Sequence, residues 1–312
     1  GYLTTLRGIL KLYEYTSNKK HLNYVLDNYM ELIQSDDYTI FGSVKEYFGE
    51  KGKRDEGCAT ADFIRLSLYL YKLTNNDEYL NKAEFALYNS LYFNQYFTGD
   101  FGHHEINHLE SGSDLIHAAW WCCTMAGLQA MKIIKDDYMM DESEKNIKLN
   151  LYLETDYKND NISLSLNRKS NKEDFHNYII KINKPANNKK SLLLRNPEWS
   201  KNAQVFINNK KINPEISNNY FVINQELKSG DMIQINFQYK KRIITPDKKE
   251  FLIEEIDRPI FGALCYGPYI MAIDKKNDYV FLSEPNNNVV FLNTINNSFI
   301  ANEKNGISYY ND

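Results

Sequence analysis

The sequence predicts an α + β multidomain protein, in which repeated helical hairpins are followed by a β-sandwich region. Apolar residues recur at helical spacing as far as about residue 137, whereas beyond residue 145 they alternate as in half-buried strands. Two hairpins also repeat each other at a constant offset, so that Leu6 corresponds to Ile64 and Thr16 to Thr74. We therefore expect a helical domain over residues 1–140 and one or two sandwiches over residues 145–312.

The helical region is predicted to contain two hairpins and one further helix. Thr16-Ser17-Asn18 ends the first helix and a second follows over 21–33, while the second hairpin spans 61–92 with a break at 74–77. One hairpin cannot bury its own apolar face, so the repeat indicates a toroid or a solenoid. The further helix is predicted over 113–135, and the polar segments 36–55 and 97–112 are predicted loops, where sites usually lie.

In the β region, alternating segments at 147–153, 162–166 and 178–182 predict strands. Asn209-Lys210 predicts the turn of a hairpin, and Ser229-Gly230-Asp231 predicts a second turn. Cys265 lies in an apolar strand and is interpreted as a core residue.

The composition excludes several classes of partner. The chain has 312 residues, a formal net charge of −4 and 25% charged residues, so it has no basic surface for nucleic acid or an anionic membrane. No apolar run could span a bilayer. The 24 tyrosines and 16 phenylalanines suit sugar-binding surfaces, although an aromatic-rich core explains them equally.

Three of the four cysteines fall in two short clusters, Glu56-Gly57-Cys58 and Cys122-Cys123. Adjacent cysteines rarely form a disulfide with each other because the ring is strained, whereas thiols and a carboxylate that converge suit Zn²⁺. A metal also keeps thiols as thiolates, the nucleophilic form. Three alternatives stay open: a purely structural zinc site, two small core residues at 122 and 123, and a redox pair.

Several motifs resemble the β-L-arabinofuranosidase group of glycoside hydrolases, family 127 and its relatives. In the helical region they are Arg54-Asp55-Glu56-Gly57-Cys58-Ala59, residues 83–89 and Trp120-Trp121-Cys122-Cys123. In the β region they are residues 194–199, residues 227–231 and Tyr266-Gly267-Pro268. The motifs keep the family's order over most of the chain.

The resemblance implies part of an (α/α)6 barrel followed by β-sandwiches, and a retaining exo-glycosidase acting on a carbohydrate. It implies that Glu56, Cys58, Cys122 and Cys123 bind zinc and that Cys122 is the nucleophile. Glu84 would bind sugar hydroxyls. The acid/base glutamate lies upstream of Glu56, where Glu46 matches best and Glu50 competes.

The sequence departs from the family at two segments near the cysteine pair. Gly99-Asp100-Phe101-Gly102-His103-His104 replaces an aromatic segment, and Thr124-Met125-Ala126-Gly127 replaces a proline-containing one. His103 and His104 are expected to line a sugar pocket; a second metal site with His108, or a solvated loop, are the alternatives. Trp120 and Trp121 are interpreted as core residues, with Trp120 the candidate for the pocket floor.

Length sets a further expectation. A twelve-helix barrel needs roughly twice the helical residues present here. We therefore expect either that an N-terminal half is absent from this chain or that the protein is a truncated, inactive form. A non-catalytic carbohydrate-binding or scaffold protein with structural zinc is the alternative function. A homodimer is an open alternative, and thiolates favour a reducing cytoplasm.

Overall fold

The computed structural model describes residues 1–49, 54–96, 98–106, 111–113, 119–169, 175–186, 190–257, 260–273 and 307–308. The helices are α1 (Tyr2–Thr16), α2 (Lys19–Gln34), α3 (Gly57–Thr74), α4 (Asp77–Ala86) and α5 (Trp121–Ile133). A π-helical turn extends α4 over Leu87–Leu91 and another extends α5 over Ile134–Tyr138. None of the helices in these ranges combines the length and apolarity that crossing a bilayer requires.

The predicted repeat of the two hairpins is confirmed down to the turns. The helices α1 and α3 both end at a threonine, followed by Ser17 and Asn75 in the left-handed conformation, with φ of 52° and 54°. Asn18 and Asn76 then cap α2 and α4, because each side chain accepts a hydrogen bond from the backbone N–H two residues on. Each turn therefore carries its own local stop and start signals.

The helix α3 lies at the centre of the helical region, where it contacts α1, α4 and α5. Leu66, Leu68 and Leu70 are fully buried on it, and Phe63 stacks on Tyr29 of α2 at 5.4 Å between ring centroids. Buried apolar residues on several sides of α3 are thus covered by neighbouring helices. This arrangement fixes the N-terminus of α3 against that of α5.

The predicted start of the last helix at residue 113 is wrong. Ser111–Ser113 is a strand that pairs with His104–Ile106, and the helix begins only at Trp121. The two strands lie only a few residues apart along the chain, but the residues between them, 107–110, contain no glycine or proline that would signal a hairpin turn.

The strands follow in chain order. They are β1 (His104–Ile106), β2 (Ser111–Ser113), β3 (Met140–Glu142), β4 (Asn146–Leu149), β5 (Thr155–Lys158), β6 (Ser163–Lys169), β7 (Phe175–Lys184), β8 (Ser191–Arg195), β9 (Ser200–Ile207), β10 (Lys210–Ile212), β11 (Glu215–Ser217), β12 (Tyr220–Ile223), β13 (Met232–Tyr239), β14 (Lys241–Ile244), β15 (Glu250–Leu252), β16 (Ala263–Tyr266), β17 (Tyr269–Ile270), β18 (Ala272–Ile273) and β19 (Ile307–Ser308).

Two sheets share one hydrophobic core in the β region. A six-stranded antiparallel sheet has the order β10-β9-β13-β7-β6-β5, and a five-stranded sheet has the order β11-β12-β8-β4-β3, with β4 and β8 parallel. Ile180 and Phe237 of the first sheet and Leu149 and Leu194 of the second belong to the same buried cluster. The predicted hairpin between β9 and β10 is confirmed, but its turn lies one residue earlier than predicted, at Asn208-Asn209, both at positive φ.

A third sheet, of order β15-β14-β16-β17, packs against the helical region. Its buried residues Ile244, Cys265 and Ile270 contact Ile40, Phe41 and Phe85, which belong to the helical part. Cys265 is fully buried, which confirms it as a core residue. The architecture is thus a mixture of helices and several mainly antiparallel sheets, as predicted in outline.

Candidate metal centre

Four predicted ligands meet where two helices begin. Glu56 is the residue immediately before α3 and Cys58 is the second residue of that helix, while Cys122 and Cys123 are the second and third residues of α5. One ligand atom from each of the four side chains lies within 4.8 Å of all the others. The Sγ atom of Cys123 is 3.6 Å from that of Cys58 and 4.0 Å from that of Cys122. Residues about sixty positions apart therefore converge as the sequence predicted.

The spacing of these atoms fits a tetrahedral zinc site. With Zn–S bonds of about 2.3 Å, the edge of a tetrahedron is about 3.8 Å. The two sulfur separations of 3.6 and 4.0 Å lie on either side of that value. Three thiolates and one carboxylate also form a donor set that zinc accepts. The four side chains therefore fit Zn²⁺ both in spacing and in donor type.

Glycine at position 57 allows the two helix ends to approach. A Cβ atom there would lie 2.6 Å from the carbonyl oxygen of Gly102 and 3.2 Å from Cβ of Cys123. The Gly57 N–H instead donates to the Gly102 carbonyl at 3.2 Å. The glycine of the Glu-Gly-Cys motif is therefore needed for close packing between α3, α5 and the segment carrying His103.

The two segments that depart from the family pattern contact each other. The Phe101 N–H donates to Thr124 Oγ1 at 3.1 Å, and the Trp120 N–H donates to the Phe101 carbonyl at 3.0 Å. The Phe101 ring covers Gly127, where an added Cβ would lie 2.6 Å from it. The large residue in one segment is thus matched by the absence of a side chain in the other.

The electrostatics of the cluster favour one thiolate at Cys123 before any cation binds. Hydrogen bonds from Cys58 and then from His103 lower the pKa of Cys123 to about 4. The hydrogen bond with Cys123 raises the pKa of Cys58, and burial raises the pKa of Cys122 and of Glu56. The positive end of each helix macrodipole also favours negative charge here. A bound cation would ionise the remaining ligands.

His103 lies beside the cluster and is 4% exposed. Its Nε2 is 3.6 Å from Cys123 Sγ, and its Nδ1 is 3.1 Å from the Asp55 carbonyl oxygen. The hydrogen bond with Cys123 raises the pKa of His103. The contact with sulfur was missed at the sequence level, because nothing in the spacing of His103 relative to Cys123 indicates it.

The remaining predicted site residues have different surroundings. Trp120 is 37% exposed, and its ring and the His103 ring form a T-shaped contact with 5.4 Å between centroids. Glu50 and His108 lie outside the described residues, and of His104 only the backbone, in β1, is described. The prediction that Trp120 and Trp121 are core residues is wrong, since both are exposed, Trp121 to 79%. Cys123, Gly127 and Ala130 form the buried side of α5, which leaves Trp121 on the opposite side.

Glu46 lies on the loop that leads into the cluster. Its Oε2 is 2.5 Å from Nε of Arg54, and its backbone N–H donates to the Arg54 carbonyl at 3.4 Å. Its charge contributes, after burial and Cys123, to raising the pKa of Glu56, so the two carboxylates are close enough to interact.

Glu84 is found at the junction of the helical and β regions. Its Oε2 accepts from Arg195 Nη2 and from Trp199 Nε1, both at 3.0 Å, and both the Glu84 and Arg195 side chains are almost completely buried. This location favours a role in joining the two regions over the predicted contact with sugar hydroxyls.

Comparison with known families separates the β region from the rest. Residues 146–239 match the family model described as β-L-arabinofuranosidase, GH127 middle domain. This segment is similar to a GH127 middle domain. The match includes strands β4 to β13, and it confirms the resemblance to GH127 that the motifs indicated. A search among curated proteins gave no match.

Solved structures share the fold over most of the chain. A GH127 β-arabinofuranosidase superposes with a TM-score of 0.59 at 17% identity, covering 86% of this chain and 46% of its own. A GH127 β-L-arabinofuranosidase from Geobacillus stearothermophilus T6 gives 0.60 at 18% identity, with 88% and 47% covered. A third, described as a glycoside hydrolase, gives 0.62 at 18% identity, with 87% and 51% covered. The chain therefore spans about half the length of these glycoside hydrolases.

Proposed function

We propose that the chain is part of a retaining exo-glycoside hydrolase, similar to the β-L-arabinofuranosidases, with a zinc-bound cysteine as nucleophile. The observation that carries the proposal is the convergence of Glu56, Cys58, Cys122 and Cys123 within 4.8 Å. The GH127 middle domain over residues 146–239 supports a carbohydrate substrate. The fold shared with two GH127 enzymes supports an arabinofuranoside as the first to test.

Retention of configuration requires two steps with a nucleophile and an acid on opposite sides of the anomeric carbon. Cys122 suits the nucleophile because its side chain is partly exposed, whereas Cys123 is fully buried. Its sulfur would attack the anomeric carbon while the bond to the leaving oxygen breaks, which gives a glycosyl-cysteine. Zinc, when bound, would keep the thiols ionised at neutral pH.

Glu46 is our candidate for the acid/base. It would give a proton to the departing oxygen and then take one from the water that releases the sugar. Nε of Arg54 lies 2.5 Å from Oε2 of Glu46 and would hold the carboxyl group in place. Donation of the proton in the first step leaves Glu46 as the carboxylate that the second step needs.

The nucleophile is tested with 4-nitrophenyl glycosides, beginning with the β-L-arabinofuranoside. Cys122→Ser is expected to lower turnover by about 10³-fold or more, because serine lacks an ionised sulfur. Cys265→Ala is the matched control, since that cysteine is buried in β16 away from the cluster. Elemental analysis should give one zinc per chain in the control. Equal turnover by Cys122→Ser and the control would remove Cys122 as nucleophile.

A second function is a carbohydrate-binding or scaffold protein with structural zinc. The observation that favours it is the set of four protein ligands, since a tetrahedral ion held by all four would have no open position for substrate or water. It predicts that chelation lowers the melting temperature while no glycoside is turned over. Part of an (α/α)6 barrel, a boundary between domains near residue 140, a homodimer and a cytoplasmic location remain predictions.

A further inference from the structure

A cavity of about 550 Å³ lies where the helical region meets the β region, at the end of α5 away from the candidate metal centre. One wall includes Met131 and Lys132 in the last turn of α5, and the facing wall comes from strands β5, β6, β7 and β17. From Cys122 to Met131 the helix rises about 14 Å, at 1.5 Å per residue. This space, which we call the junction cavity, is therefore separate from the four predicted ligands.

Tyrosine rings form much of the wall of the junction cavity. They are Tyr88, Tyr92, Tyr152, Tyr178 and Tyr269. The rings of Tyr88 and Tyr269 form a T-shaped contact with 5.4 Å between centroids, and those of Tyr88 and Tyr92 are tilted with 5.8 Å between centroids. Tyrosine supplies rigid contact area at a low cost in conformational entropy. The volume also falls within the range of about 300–1,000 Å³ that is typical of small-molecule sites.

His176 contributes a buried polar atom that has no partner. The residue lines the junction cavity and is 1% exposed. Its Nδ1 lies 3.5 Å from the Tyr269 hydroxyl, whereas its Nε2 has no hydrogen-bond partner in the part of the chain that the structure describes. Native proteins leave few buried polar atoms unpaired. A ligand hydroxyl both donates and accepts, so it would pair with Nε2 whichever ring nitrogen carries the hydrogen.

Charged side chains complete the lining. The guanidinium of Arg168 lies 5.9 Å from the centroid of the Tyr269 ring, and the exposed side chains of Lys135 and Glu154 contribute charges of both signs. A purely apolar ligand would leave Nε2 of His176 unpaired. A small inorganic anion would meet the negative faces of the tyrosine rings. A sugar fits both features, because its C–H groups pack on ring faces and its hydroxyls donate and accept hydrogen bonds.

We propose that the junction cavity is a second carbohydrate site, which holds one sugar unit between the tyrosine rings with a hydroxyl on Nε2 of His176. Binding there makes and breaks no covalent bond and uses none of the four predicted metal ligands. The site goes beyond the proposed hydrolysis, since it would hold a glycan whether or not the metal centre cleaves one.

Two substitutions on strand β5 test where the sugar binds. Thr155 lines the cavity, so Thr155→Trp places a large side chain in it. Asp156→Trp is the matched control, because Asp156 is exposed and successive side chains of a strand point to opposite faces. Binding of arabinotriose, xylotriose and galactotriose is measured by isothermal titration calorimetry. We expect at least one trisaccharide to bind the wild type and Asp156→Trp equally and to lose its binding in Thr155→Trp.

A third variant tests the contact inside the cavity. His176→Phe keeps a ring beside Tyr178, on which the imidazole stacks at 4.5 Å between centroids, but it has no nitrogen. We expect the dissociation constant of the trisaccharide to rise by about 3- to 10-fold, as for the loss of one hydrogen bond. His21→Phe is the control, since His21 lies in α2. Melting temperatures establish that each variant is folded.

Three results would overturn the proposal. One is the absence of binding of all three trisaccharides to the wild type, with or without binding of phenol as an apolar probe. The second is equal binding by Thr155→Trp and Asp156→Trp, which would place the sugar elsewhere. The third is wild-type affinity in His176→Phe. Turnover of 4-nitrophenyl glycosides should be the same in Thr155→Trp and Asp156→Trp, so failure of the proposed function is distinguishable from failure of this site.

Discussion

His176 is a buried histidine that the candidate metal centre does not use. Its ring stacks on Tyr178 at 4.5 Å between centroids, and its Nδ1 lies 3.5 Å from the Tyr269 hydroxyl. It is 1% exposed, and within the described ranges its Nε2 has no hydrogen-bond partner. Burial, followed by the charge of Arg168, lowers the pKa of His176 well below its ordinary value, so the ring is neutral in the folded protein.

This buried ring predicts a loss of stability in mild acid. The unfolded chain binds a proton at position 176 below about pH 6.5, whereas the folded chain does not, so the free energy of unfolding falls as the pH falls. The slope should reach at most about 1.4 kcal/mol per pH unit. It is measured by urea denaturation between pH 7.5 and pH 5.5.

His176→Phe is the comparison, because phenylalanine keeps the stacking but cannot titrate. The raised pKa of His103 contributes a slope of the opposite sign. The contribution of His176 is therefore the difference between the wild type and the variant. Identical slopes for the two proteins would show that His176 binds the same number of protons in the folded and unfolded states.

Between elements, the approach of α3 to α5 depends on Gly57. Gly57→Ala places a Cβ 2.6 Å from the Gly102 carbonyl oxygen, so the helix ends must separate. We expect a loss of about 1–3 kcal/mol in stability, as for other overpacked positions, together with weaker zinc binding. Thermal denaturation and zinc titration measure the two effects.

Gly8→Ala is the matched control, since Gly8 lies in α1 with nothing within 4 Å of an added Cβ. Alanine in a helix interior is more stable than glycine by about 0.5–1 kcal/mol, so this variant should gain stability. If Gly57→Ala gained stability as Gly8→Ala is expected to, the result would contradict the close approach of α3 to α5.

Helix ends were predictable where the signals are local. Thr16 and Thr74 precede a residue that adopts the left-handed conformation and an asparagine that caps the next helix, and all these interactions lie within a few residues. The start of α5 was predicted wrongly because Ser111–Ser113 forms a short hairpin with His104–Ile106, and the residues between the two strands contain no glycine or proline to mark the turn. The exposure of Trp121 was not predictable either, since the packing of α5 on α3 decides which side is buried.

For the whole molecule, the ion pair between Glu84 and Arg195 joins the helical region to the β region. Arg195 also donates to the Asn150 carbonyl at 3.0 Å. Glu84→Ala would leave a buried guanidinium without its carboxylate, and we expect a loss of about 3–5 kcal/mol in the free energy of unfolding. Urea denaturation measures this value.

The control for Glu84 is Glu198→Ala. Glu198 is exposed and accepts a hydrogen bond from Asn81 at 2.8 Å, so its removal should change stability by less than about 0.5 kcal/mol. Wild-type stability of Glu84→Ala with a raised KM for glycosides would restore the sugar-binding role that the sequence suggested.

The ligand set of the candidate site was predictable from the sequence, whereas its surroundings were not. Zinc chemistry restricts ligands to a few residue types, so Glu56, Cys58, Cys122 and Cys123 stand out by type and spacing. His103 and Glu84 are common residues whose partners are set by packing between distant segments. Their contacts with Cys123 and Arg195 follow from the fold, and no local pattern specifies them.

The almost complete burial of Arg195 has a consequence for how this protein can be divided. The arginine lies within the segment that matches the GH127 middle-domain model, yet its counter-charge, Glu84, lies outside that segment. If the segment were cut out at residues 146 and 239, the Arg195 guanidinium, which is buried in the whole chain, would therefore be exposed to water. A chimaera that exchanges only one of the two regions with a relative would therefore be stable only if it keeps both Glu84 and Arg195.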